Sequence, residues 1–117
     1  MKRDKKMVFV VYLCAVFAIA TSACKKQDPG TPGENEIFLE YKTFHPTQLA
    51  VQKGTTVTFI NKDNADHTVT STTKLFDSGR IRSGDSYTFT FNDAGVFYFY
   101  CNYHSSNSQE QGAILVK

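Results

Sequence analysis

The stretch Val96-Phe97-Tyr98-Phe99-Tyr100-Cys101-Asn102-Tyr103-His104 decides how this chain is read. Five aromatic or β-branched residues in a row suit a strand and not a helix. Period-two alternation then places Phe97, Phe99 and Cys101 on one side. The two phenylalanines read as core, so Cys101 is expected to point inward at the end of the strand. His104 follows three residues later, in what reads as a loop.

Similar short runs recur on either side. Strands are expected over Glu36–Lys42, Gln48–Val51, Thr55–Asn61, Thr68–Ser71, Ser86–Phe91, Val96–Cys101 and Ala113–Val116. Turn signals separate them at Lys53-Gly54, Lys62 to Asp66, Ser83-Gly84-Asp85, Asn92 to Gly95 and Gly112. Val57 and Phe59 share one face of their strand, as do Tyr87, Phe89 and Phe91 of theirs. No repeat and no amphipathic helical pattern is present. Seven to eight short strands with such turns predict an all-β fold, a β-sandwich. The 117 residues allow one domain, and 41% hydrophobic content is enough to pack its core.

The N-terminus has a different character. Lys2, Arg3, Lys5 and Lys6 precede an almost unbroken apolar run from Met7 to Ala20, too short for a comfortable membrane span. Residues 1–23 therefore read as an export signal. Thr21-Ser22-Ala23 before Cys24 resembles a bacterial lipobox, although Thr21 stands where Leu is usual. Cys24 is the expected lipidation site, and residues 24–35, with Pro29, Gly30, Pro32 and Gly33, read as a flexible linker. The alternatives are an ordinary cleavage near Ala23 or an uncleaved anchor. The expected location is exported and lipid-anchored; Lys25 after the cysteine slightly favours the outer membrane. Of 13 basic and 11 acidic residues, four basic and one acidic precede residue 24, leaving 9 and 10. A near-neutral domain of residues 36–117 with no basic run excludes nucleic-acid binding.

With Cys14 in the signal and Cys24 at its end, Cys101 is the only thiol of the domain, so no disulfide forms within it. An unpaired cysteine in an exported protein reads as a liability, an intermolecular link or a protected metal ligand. Here His104 can meet Cys101 on one ion, and His67, after the Thr55–Asn61 strand, is placed to complete the set. One soft thiolate with two imidazoles suits copper cycling between two oxidation states.

The ordered set Gly54-Thr55-Thr56-Val57-Thr58-Phe59-Ile60-Asn61, His67-Thr68-Val69-Thr70-Ser71, Phe76-Asp77-Ser78-Gly79, Ser83-Gly84-Asp85, Phe89-Thr90-Phe91, Gly95-Val96-Phe97-Tyr98 and Tyr100-Cys101-Asn102-Tyr103-His104 resembles the plastocyanin-like cupredoxins. The likeness runs from Glu36 to Lys117. It implies a Greek-key β-sandwich, one type 1 copper ion on His67, Cys101 and His104, and one-electron transfer. The redox partner would dock near His104. Two positions depart from the family pattern. Tyr103 replaces a usual Pro, and no Met follows Met7, which removes the usual weak axial ligand. Gln109 and Glu110 take its place as axial candidates, with Gln111 behind them. An amide oxygen there resembles the stellacyanin-type variation, and any hard oxygen favours Cu(II), predicting a lower reduction potential. A three-coordinate or degenerate site is the other possibility.

His45, in Phe44-His45-Pro46, reads as a surface residue. Asp63, Asp66, Asp77, Asp85 and Asp93 fall at turns and read as caps or solvated groups. Asn61 reads either as an organiser of the ligand loops or as a plain turn residue. Tyr98 and Tyr100 read as sheet packing, and Tyr103 as part of an apolar docking patch. The principal functional expectation is a monomeric electron carrier, not an enzyme, since His45 is the only histidine left over. A copper storage or delivery protein uses the same ligands. A zinc-binding or metal-free surface domain is the third reading, because one Cys and two His also suit Zn²⁺.

Overall fold

The computed structural model describes residues 30–117. The expected signal and Cys24 lie outside the described residues. The domain has eight strands: β1 (Glu36–Glu40), β2 (Thr43–His45), β3 (Gln48–Val51), β4 (Thr55–Asn61), β5 (Thr70–Ser71), β6 (Ser86–Phe91), β7 (Gly95–Tyr100) and β8 (Gln111–Val116). The only helical element among the described residues is a 3₁₀ turn at Asn102–His104. One sheet has the order β2-β1-β4-β6 and the other β3-β8-β7-β5. β1 runs parallel to β4, and β3 parallel to β8, while the remaining pairs are antiparallel. This is a two-sheet all-β sandwich in which neighbours in a sheet are often distant in sequence.

Alternation builds the interior. Val57, Phe59 and Asn61 of β4 are buried, and β4 pairs in register with β6, placing Phe59 opposite Tyr87 and Val57 opposite Phe89. From the second sheet Phe99 and Ile114 point into the same core. Phe99 meets Phe44 edge-on at 4.8 Å and Phe59 at 5.3 Å between ring centroids, an arrangement that favours aromatic quadrupoles beyond plain burial. The opposite face of β7 is open, with Val96 52% and Tyr98 59% exposed. Tyr98, expected to serve sheet packing, faces solvent instead, because the β7–β8 face it stands on lies outside the sandwich.

The expected strands occur with adjusted ends, and β2 is an addition. The run expected over Glu36–Lys42 stops at Glu40 and folds back through Tyr41 and Lys42, whose φ values are 53° and 55°. The strand expected over Thr68–Ser71 is reduced to Thr70–Ser71, because the backbone of His67 instead bridges to Ile81 in both directions, at 3.1 and 2.8 Å.

Gly112 marks where the sheet carries the site. A Cβ there would lie 2.5 Å from Phe99 Cζ and 2.6 Å from the Thr47 carbonyl oxygen. The carbonyl belongs to backbone and cannot swing aside, so Gly112→Ala is expected to cost about 1–3 kcal/mol of stability by overpacking. Urea unfolding of the variant beside the parent checks this; an unchanged midpoint would contradict it.

Candidate metal centre

Both loops that carry the candidate ligands leave the same end of the sandwich. Asn61, fully buried at the end of β4, donates through Nδ2 to the carbonyls of Ala65 at 2.8 Å and Ile81 at 2.9 Å. Its Oδ1 accepts the Asp63 N–H at 2.9 Å. Those three bonds shape the 62–66 loop, and the His67–Ile81 bridge then fixes the backbone from which the His67 ring turns inward. Asn61 thus organises this loop.

The second loop begins at Cys101, just past β7. The Cys101 N–H donates to the Glu110 carbonyl at 3.1 Å, and the Cys101 carbonyl accepts the His104 N–H at 3.2 Å. The chain makes a 3₁₀ turn, then two further turns closed by Asn107 N–H to the His104 carbonyl at 2.8 Å and Glu110 N–H to the Asn107 carbonyl at 3.0 Å. This winding brings residues 101, 104 and 110 to one side and directs Gln109 outward. Thr68 ties the two loops together. Its N–H donates to Cys101 Sγ at 3.4 Å, and its Oγ1 accepts the Asn102 N–H at 2.7 Å.

The outcome is a cluster of His67, Cys101, His104 and Glu110, whose donor atoms all lie within 4.8 Å of one another. Cys101 Sγ is 3.8 Å from His67 Nδ1 and 3.5 Å from His104 Nδ1. Glu110 Oε1 contacts His67 Nδ1 and lies 3.2 Å from His104 Nδ1. His67, Cys101 and Glu110 are buried, while the His104 side chain is 27% exposed. Of the three oxygen candidates the structure brings in Glu110; Gln109 and Gln111 are exposed. His45 is exposed on β2, apart from the cluster.

The electrostatics are those of a place made for a cation. A buried carboxylate beside a buried thiol is unfavourable unless positive charge compensates. Glu110 Oε2 is 2.9 Å from His104 Nδ1, yet it has no hydrogen bond. Burial pushes the Cys101 thiol above its ordinary value, and Glu110 adds to that as hydrogen-bond partner and as charge, against the N–H groups of Thr68 and Tyr103. A carboxylate oxygen without a hydrogen bond, one sulfur and two ring nitrogens converge from three buried residues and the partly exposed His104, and this donor set fits a transition metal. The soft thiolate and the imidazoles suit copper, and the carboxylate adds a hard donor that favours the divalent state.

Sequence reading did not assign Asp63 to the site. Its Oδ2 lies 3.0 Å from His67 Nε2, on the side of the ring away from the cluster. Partial burial acts to raise the Asp63 carboxyl, but hydrogen bonds from His67, Asn64 and Lys42, together with the charge of His67, outweigh it and hold it below the ordinary carboxylate value. The four-residue spacing to His67 in a loop carries no signal by itself.

The family model of the cupredoxin-like domain matches residues 9–116. The chain belongs to that family. Among solved structures, a purple cupredoxin from Nitrosopumilus maritimus is 26% identical, with a TM-score of 0.64 over 70% of this chain and 98% of that one. A Cu(I) amicyanin mutant is 21% identical, with a TM-score of 0.65 over 79% and 87%. The copper-containing nitrite reductase from Thermus scotoductus SA-01 is 22% identical, with a TM-score of 0.63 over 80% of this cupredoxin but only 24% of the reductase. The last two likenesses show the fold alone. No curated protein matches the chain.

Proposed function

We propose that this cupredoxin is a one-electron carrier that holds a single copper ion on His67, Cys101, His104 and Glu110. The observation that carries the reading is the convergence of those four donor atoms within 4.8 Å at the end of a closed sandwich. Copper, when bound, supplies reversible one-electron chemistry. The protein's part is to hold the donors nearly still, so that little reorganisation accompanies a change of charge. Paired strands β7 and β8 flank the 101–110 loop, Thr68 braces the thiolate, and the bonds of Asn61 brace the His67 loop. Glu110 lends a negative charge, which favours Cu(II) and lowers the reduction potential relative to a neutral fourth donor. His104 is the donor nearest solvent, and Tyr103 beside it is 51% exposed. A redox partner docks there in this reading, and the edge of the His104 ring is the electron's exit.

The proposed organisation is a signal over 1–23, a lipid on Cys24, a linker to residue 35 and a copper domain over 36–117. This describes a monomer held at the exported face of a membrane, the outer membrane being slightly favoured. Electron self-exchange of the copper-loaded full chain, compared with copper release to a chelator, tests the function. Fast exchange with slow release supports the carrier; slow exchange with ready release replaces it with a storage or delivery protein.

A further inference from the structure

We propose that Asp63 is a positioning residue of the metal centre: its carboxylate holds the outer nitrogen of His67, keeps Nδ1 directed at the cluster, and biases the bound copper toward Cu(II). The inference deepens the copper reading above and rests on it. A fully buried imidazole N–H requires an acceptor, and a backbone carbonyl would satisfy it without charge. Here the acceptor is an anion, Asp63 Oδ2, at 3.0 Å from Nε2. With the ring proton held on Nε2, Nδ1 presents its lone pair to the ion. The adjacent carboxylate also makes the imidazole a stronger donor, and that matters more to the doubly charged ion than to the singly charged one.

Asp63 is itself held in place. Its Oδ2 also accepts the Lys42 N–H at 3.2 Å, and its Oδ1 accepts the Asn64 N–H at 2.9 Å. Lys42 sits with Tyr41 in the two-residue turn between β1 and β2, both in the left-handed region. That conformation is unfavourable for a residue that carries a Cβ. The Lys42 carbonyl accepts Asn107 Nδ2 at 3.2 Å, from the loop that carries His104 and Glu110. A strained turn therefore clamps both ligand loops, and the carboxylate it holds on one side is the one that bonds His67. The left-handed pair is what a two-residue hairpin between twisted strands adopts; the bonds from Lys42 to Asp63 and Asn107 are additional to it.

The test compares the full chain with Asp63→Asn, which keeps the size and an acceptor oxygen but not the charge, and with Asp63→Ala. Cu(II) affinity, Cu(I) affinity, reduction potential, Zn(II) affinity and melting temperature are measured for each. Asp63→Asn is expected to weaken Cu(II) binding about tenfold more than Cu(I) binding, a rise in potential of ~59 mV, with a larger rise in Asp63→Ala. Zn(II) affinity falls in both variants. A copper-loaded parent with the thiolate charge-transfer band and variants of unchanged potential would overturn the proposal, even if their melting temperatures fall, since a loop-holding role lowers stability alone. Should the parent show no such band, the copper reading fails, and Zn(II) affinity decides for Asp63: a loss of about tenfold supports its positioning role, and no loss rejects it.

Discussion

Glu110→Gln is expected to raise the reduction potential of the copper-loaded protein by about 170 mV. Glutamine keeps the shape and an oxygen donor while removing the charge. Glu110 is buried, and its carboxylate shares a 4.8 Å cluster with the three other donors. Two unit charges separated by about 4 Å, the scale of the cluster, interact by ~4 kcal/mol at an effective dielectric constant near 20. That difference acts on the one charge by which Cu(II) exceeds Cu(I). It corresponds to nearly three powers of ten in their relative affinities at ~1.4 kcal/mol each, and each power is ~59 mV for one electron. Voltammetry of parent and variant at one pH measures the shift directly. A potential that moves by less than about 30 mV would place the Glu110 charge away from the ion.

Phe99→Ala is expected to cost about 3–5 kcal/mol of folding stability. The side chain is 1% exposed and packs edge-on between Phe44 and Phe59 from the opposite sheet. It is the aromatic that joins the two layers directly beneath the metal centre, two residues before Cys101 on the same strand face. Truncation leaves a cavity that backbone-paired strands cannot close. Small domains hold about 5–15 kcal/mol in total, so the variant should unfold at much lower urea concentration with a similar slope. A loss under about 1 kcal/mol would mean that the sheets close over the gap.

The strand that ends at Cys101 was legible because alternation is simple: Phe97, Phe99 and Cys101 fall on one face whatever the tertiary context. The same rule put Val57 and Phe59 on one face of their strand, and both are fully buried. β2 was not legible. Three residues are too few to show a period, and the hairpin before them lacks the Asn-Gly signature that usually announces left-handed turn residues, using Tyr41 and Lys42 instead. The choice among Gln109, Glu110 and Gln111 was also beyond spacing. A loop with one 3₁₀ turn and two successive tight turns has no fixed period, and the inward turn of residue 110 depends on bonds of Asn107 and of the Cys101 N–H that leave no mark in the spacing. Asp63 read as one of several turn carboxylates because its partner, His67, is brought to it by the bonds of Asn61 and by the Ile81 bridge, neither of which leaves a mark in the local sequence.

The most direct test is the visible spectrum after one equivalent of Cu(II) is added to the full chain, beside a Cys101→Ala control. The account predicts an intense thiolate-to-copper charge-transfer band that a mild reductant bleaches and that the control lacks. A colourless protein, or colour that survives without Cys101, would contradict it.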